Sequence, residues 1–236
     1  MRTKHLVLIL VFLVSGCGKK QEIQCLVSNA ETVVGGQTGQ ELSPTQVFRK
    51  NNGTEPGTLD PHRAEGVPAS NVLRDLFEGL VMEDPSGAYI PGAAESWSLS
   101  EDAKTYVFKM RENGKWSNGD VVTAEDFVYG LRRSVDPATL SNYSSMLYPI
   151  KNARDIVLGK KSSETLGVRA NGPTTLIIEL DEPTPYFLSL LTHSTTYAAH
   201  RPSVEEFGAR FTRPGNLVGN GAFKLEEWRV QSHIKL

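Results

Sequence analysis

The stretch that most constrains this chain runs from Ala93 to Pro137, where a strand, two turns and a helix follow in close succession. Tyr106, Phe108 and Met110 alternate with Val107, Lys109 and Arg111, the period of a half-buried strand. Glu112-Asn113-Gly114 and Ser117-Asn118-Gly119 then supply two turns that tolerate positive φ. Thr123 begins Thr-x-x-Asp, close to a capping box, and the spacing predicts a helix from there that buries Phe127 and Leu131. A unit of this kind belongs in a mixed α and β domain, and it holds no group suited to breaking bonds.

The surrounding sequence alternates helical and strand patterns. Gln46–Asn51 reads as a first strand, followed by a Pro56-Gly57 turn and a bend at Leu59-Asp60-Pro61-His62. From Ala69 to Leu80 the apolar residues Val72, Leu73, Leu76, Phe77 and Leu80 mark one face of a helix, capped by Ser70 or Asn71 and ended near Gly79. Leu80–Glu83 reads as a short strand. Beyond Pro137, Tyr143, Met146, Leu147 and Tyr148 give an aromatic loop or short helix. Asn152–Leu158 is predicted helical, Thr174–Leu180 a strand, Tyr186–Leu191 an apolar helix and Ser203–Phe207 the start of a capped helix. Gly221–Trp228 reads as a strand entering a sheet, and the chain stops at His233–Leu236 within strand periodicity.

At 236 residues and 39% apolar composition, the chain can bury the core of one or two domains. Its 25 basic and 27 acidic residues nearly balance, which favours neither nucleic acid nor an anionic membrane face. Arg2 and Lys4 precede an unbroken apolar run, Leu6–Val14. That run is shorter than the roughly 20 residues a bilayer requires, and it has the form of a signal-peptide core. It ends in Val14-Ser15-Gly16-Cys17, which resembles a lipobox with Cys17 as the lipid-attachment site; the alternative is an ordinary signal peptide with Cys17 incidental. Residues 1–17 are thus read as a lipoprotein signal peptide and 18–45 as a flexible tether holding a lone Cys25. The histidines His5, His62, His193, His200 and His233 form no i,i+4 pair and have no cysteine companion, so neither metal nor cofactor is expected.

Trp116-Ser117-Asn118-Gly119-Asp120, followed by Val122-Thr123-Ala124-Glu125-Asp126-Phe127, resembles the signature of the bacterial extracellular solute-binding proteins of the peptide, nickel and dipeptide class. Val121 departs from it, where proline is common. Asn51-Asn52-Gly53, Leu59-Asp60-Pro61-His62, Glu65-Gly66-Val67-Pro68, Asp75–Leu80 and Asn220–Leu225 with Trp228 extend the resemblance to periplasmic oligopeptide-binding and murein-tripeptide-binding proteins. The likeness covers about residues 46–236. It implies an α/β, periplasmic binding protein-like fold of two lobes, with a small α+β domain inserted in the first. Residues 46–77 and 203–236 would form an incomplete first lobe and 78–202 the inserted domain. The second lobe is expected beyond Leu236, which makes this an N-terminal portion.

By the same resemblance, the chain is a receptor and not an enzyme. It is expected to capture oligopeptides through backbone hydrogen bonds and deliver them to the membrane permease of an import ATPase. It would act as a monomer in the periplasm, lipid-anchored to a membrane facing it, without cofactor or nucleic acid. The alternatives are a murein-peptide or other small-ligand sensor of the same fold, or a secreted hydrolase.

The resemblance places Glu65, Gly66, Val67 and Pro68 along the ligand: Glu65 as a carboxylate near a basic group, Gly66 for close approach, Val67 offering its N–H and C=O, and Pro68 ending the pairing. The plainer reading of Glu-Gly-Val-Pro is the loop that leads into a helix. Tyr143 matches a tyrosine that reaches the ligand from the small domain; its alternative is packing with Met146 and Tyr148. Trp116, Asp120 and Asp126 read as structural.

Overall fold

The computed structural model describes residues 46–236. The chain divides into two compact units, Met1–Lys50 and Asn51–Leu236. The signal segment, Cys17, the tether and Cys25 lie outside the described residues. Residues 46–50, the described part of the first unit, are exposed and carry no regular structure, so the strand expected at Gln46–Asn51 is absent. The reason is visible in the pattern: Val47 and Phe48 are adjacent, would point to opposite faces of a strand, and give neither face an apolar row.

In the second unit the central element is an antiparallel four-stranded sheet in the order β3-β4-β6-β5. Its strands are β3 (Ala94–Leu99), β4 (Thr105–Met110), β5 (Val168–Ala170) and β6 (Thr175–Glu179). In register, Tyr106 faces Ile178 and Phe108 faces Leu176, and all four side chains are buried. The alternation predicted for β4 is therefore the alternation between core and surface. Two hairpins complete the strands: β1 (Val81–Glu83) with β2 (Tyr89–Pro91), and β7 (Glu227–Arg229) with β8 (His233–Lys235). Only the end of the expected Gly221–Trp228 strand is paired, because the preceding residues serve a different purpose.

Helix α2 (Ala124–Val135) packs on β5 and β6 through buried Phe127, Val128 and Leu131. Its start follows from the sequence. The Asp126 carboxylate accepts the Thr123 N–H at 2.8 Å, its hydroxyl at 3.0 Å and the Trp116 indole N–H at 3.3 Å. Trp116 is buried beneath its turn, so these two signature residues are structural. The short helices α3 (Ala153–Val157), α4 (Phe187–Leu190) and α5 (Arg201–Phe207) follow, α3 ending just before Gly159 at φ +71°.

Asn220–Phe223 docks along the chain that leaves helix α1 (Gly66–Leu76). The Asn220 side chain accepts the Glu78 N–H at 3.1 Å and donates to the Glu78 carbonyl at 2.9 Å, imitating one rung of a sheet. The N–H of Gly221 donates to the Leu76 carbonyl at 2.9 Å. A Cβ at Gly221 would lie 2.5 Å from both the Leu76 carbonyl carbon and the Phe77 nitrogen. Gly221→Ala is expected to destabilise the fold by about 1–3 kcal/mol, since backbone cannot yield as a side chain can. Urea unfolding followed by tryptophan fluorescence, with an unchanged m-value, checks it.

Candidate functional site

Helix α1 begins at Gly66 and ends at Leu76, three residues earlier than its apolar pattern suggested at the start and four earlier at the end. Glu65 holds the extended backbone of an N-cap, and Gly66 enters at φ +77°, a conformation that favours glycine. Pro68 then sits in the first turn, where its missing N–H costs nothing. At the other end the Asn220 clasp on Glu78 favours extended backbone from Phe77 onward. Neither Ser70 nor Asn71 caps the helix. Instead Asn71 donates to Asn52 at 3.3 Å, and Asn52 donates to the Pro68 carbonyl at 3.0 Å, fastening the Asn51-Asn52-Gly53 run to the first turn.

The predicted residues Glu65–Pro68 lie at the surface, with Val67 71% exposed. The N–H groups of Gly66 and Val67 belong to the first turn, which has no acceptor within a helix. The Val67 carbonyl enters the helical ladder, so of its two backbone groups the N–H is the one left available. Ala69, Val72, Leu73 and Leu76 turn inward. Val67, Asn71 and Arg74, spaced i, i+4 and i+7, make up the opposite stripe.

Tyr143 stands before a 3-10 turn, Ser144–Leu147, and is half-buried. Its ring meets the edge of His193 at a centroid distance of 4.9 Å. His193 was not legible as a site residue, since its partner is fifty residues away. The His193 Nδ1 accepts the Thr195 N–H at 3.2 Å, which leaves the ring proton on Nε2. Burial, followed by the positive charge of Arg74, holds His193 below the usual histidine range. Helix α1 packs against the turn Ser194–Thr196 that His193 leads into. A surface groove of about 410 Å³ borders the Tyr143 turn, lined by Met146, Tyr148, Tyr186 and Leu190 among others.

Behind this face lies a buried polar cluster. The Arg133 guanidinium donates to both Asp60 oxygens, at 2.8 and 2.7 Å, and to the Nδ1 of His62 at 2.8 Å. The Nε2–H of His62 donates to the Tyr197 carbonyl at 2.9 Å, and Phe211 lies under Arg133 at 5.3 Å. Burial alone would raise the Asp60 pKa, but the Arg133 hydrogen bonds and the charges around it prevail and lower it. His62 is lowered to about 4, first by burial and then by Arg133. The Leu59-Asp60-Pro61-His62 bend is thereby clamped between α2 and the segment leading from Tyr197. A second buried histidine, His200, bonds Asp120 at 3.1 Å and Ser203 at 2.7 Å, which accounts for Asp120 of the signature. Among the described residues no group of three or more His, Cys, Asp or Glu side chains could hold a metal ion. Among them, too, no helix is long and apolar enough to cross a membrane.

The exposed start of α1 offers backbone donors beside a carboxylate, and the Tyr143–His193 pair an aromatic edge. The model of the bacterial extracellular solute-binding proteins, family 5 (middle), matches residues 88–236. The periplasmic oligopeptide-binding protein OppA of Salmonella typhimurium is 46% identical over 213 residues, covering 89% of this chain and 39% of that protein. The structure of Haemophilus influenzae OppA in complex with RPPGFSPFR has a TM-score of 0.76 and 47% identity, over 78% of this chain and 36% of that one. The Escherichia coli murein tripeptide binding protein MppA has a TM-score of 0.74 and 43% identity, over 77% of this chain and 36% of that one. The chain spans about two fifths of the length of the relatives it matches.

Proposed function

Because this chain belongs to the bacterial extracellular solute-binding proteins of family 5, we propose that it is the ligand-capturing part of a peptide receptor serving an import ATPase. In this reading the peptide is held chiefly through its backbone, which gives affinity without reading sequence. The observation that carries it is the exposed start of α1: Gly66 and Val67 present amide donors beside Glu65. Binding rather than bond cleavage is the role those groups suit.

The receptor delivers its cargo to a membrane permease and acts in the periplasm, held to the membrane by lipid on Cys17 after removal of residues 1–16. Residues 46–77 and 203–236 form one lobe, and 78–202 an inserted small domain. The docking of Gly221 and Phe223 on Leu76 and Asp75 supports joining the two segments of that lobe. A sensor for murein peptides is the second reading, favoured by the likeness to MppA.

Calorimetric titration of the full-length protein with di- to pentapeptides tests these assignments. Sequence-tolerant binding with peptides recovered intact is expected, and Tyr143→Ala should weaken it roughly tenfold. One strongly preferred peptide points to the sensor, and cleavage of the peptides rejects both.

A further inference from the structure

The near balance of charge over the whole sequence hides a local excess. Helix α3, the loop after it and strands β5 and β6 gather Lys151, Lys160, Lys161 and Arg169 around two carboxylates. Glu179 pairs with Lys151 at 3.1 Å and with Arg169. Asp155 pairs with Lys161 at 3.2 Å and with Lys160 at 3.9 Å. The two groups are joined, because Lys161 donates at 2.7 Å to the side-chain oxygen of Asn152, the neighbour of Lys151. Four cations thus share two carboxylates on one surface. The cations also stand further out. The side chains of Lys151 and Arg169 are 52 and 54% exposed, that of the Glu179 between them 30%. The charge presented to solvent here is therefore positive.

Leu158, 55% exposed, closes α3 two residues before Lys160. An exposed leucine beside paired lysines suits the boundary of a bilayer, where the apolar side chain enters the headgroup layer while the ammonium groups stay at the phosphates. We propose that this surface seats on an anionic phospholipid membrane, with the four cations on the phosphates and Leu158 among the headgroups. The proposal is independent of the peptide reading; it says which face the protein turns to the membrane. An acidic protein is the other anion that such cations could meet, and Leu158 at their edge favours the bilayer.

The full-length protein from residue 18 onward, which carries no acyl chain, is sedimented with vesicles of phosphatidylcholine alone or with phosphatidylglycerol added. Binding is expected only where phosphatidylglycerol is present, and it should weaken steeply as salt rises. A lysine near such a surface strengthens binding roughly fivefold, so Lys160→Gln with Lys161→Gln should weaken it roughly twentyfold. Lys224→Gln with Lys235→Gln, the same loss of charge on other segments, should leave most of it. Leu158→Ser should weaken it severalfold, and thermal melts confirm that each variant is folded. Equal sedimentation with both kinds of vesicle, or equal losses in the two lysine pairs, overturns the assignment. Unchanged binding in Leu158→Ser would leave a contact of charge alone, which an acidic protein serves as well, and overturns the membrane as its partner.

Discussion

Arg133→Met will cost the protein about 3–5 kcal/mol of stability, the range for breaking a buried ion pair from one side. Methionine nearly fills the volume and retains contact with Phe211, so the loss is electrostatic and not a matter of packing. Asp60, 5% exposed, would keep its charge with Oδ2 stripped of its donor and Oδ1 left with the His62 backbone N–H, and the Nδ1 of His62, 1% exposed, would lose its one partner among the described residues. A buried carboxylate in that position protonates more readily, so its pKa should climb from its present depressed value toward and past the ordinary one. Chemical unfolding at pH 7 reads the loss directly. The double variant Asp60→Asn with Arg133→Met separates pair from site: with both charges gone it should regain a substantial part of what Arg133→Met loses. If the double variant is as unstable as the sum of the single changes, the two residues act independently and the clamp described here is not a unit.

The distribution of what could be read from sequence follows the range of the interactions involved. Strand β4 and helix α2 were legible because their signals are local: an alternation over six residues, and a Thr123–Asp126 exchange spanning three. The strand expected at Gln46–Asn51 does not form, and α1 starts and ends earlier than its apolar pattern predicts. In the first case two adjacent apolar residues give no alternating row. In the second, the end of the helix is set by Asn220, 142 positions from the Glu78 backbone it grips. The Asp60–His62–Arg133 cluster was out of reach for the same reason, its members meeting across 71 and 73 residues. Glu65–Pro68 and Tyr143 came from resemblance, not from spacing. The residue that the fold adds to them, His193, looks ordinary in the linear sequence: a solitary histidine.

The acid response of the fold should be dominated by His62. Its folded-state pKa, lowered to about 4 from 6.5, means that the native protein refuses a proton the unfolded chain accepts. Below about pH 6.5 that proton pulls the equilibrium toward unfolding, so stability falls from there to about pH 4 and gains no further slope from this group below it. The span of pKa corresponds to about 3 kcal/mol. Asp60 acts in a lower window, since a depressed carboxylate loses its contribution only as pH falls below the ordinary value of 3.8. His193, lowered by burial and by Arg74, adds a smaller loss of the same sign as His62. Urea unfolding from pH 7 to pH 4.5 should therefore show a steep decline, and His62→Gln should flatten most of it. Glutamine retains an N–H for the Tyr197 carbonyl and an oxygen for Arg133 but takes up no proton in this range, so the slope that remains in that variant belongs to His193 and, near pH 4.5, to carboxylates such as Glu179 and Glu227 that their ion pairs lower. A decline as steep in His62→Gln as in the parent would mean that the buried imidazole is not the group the acid reaches. In the expected case the contact acid breaks first is the one between Arg133 and His62, because the incoming proton takes Nδ1, the nitrogen that accepts from the guanidinium, while the Nε2–H keeps its bond to the Tyr197 carbonyl.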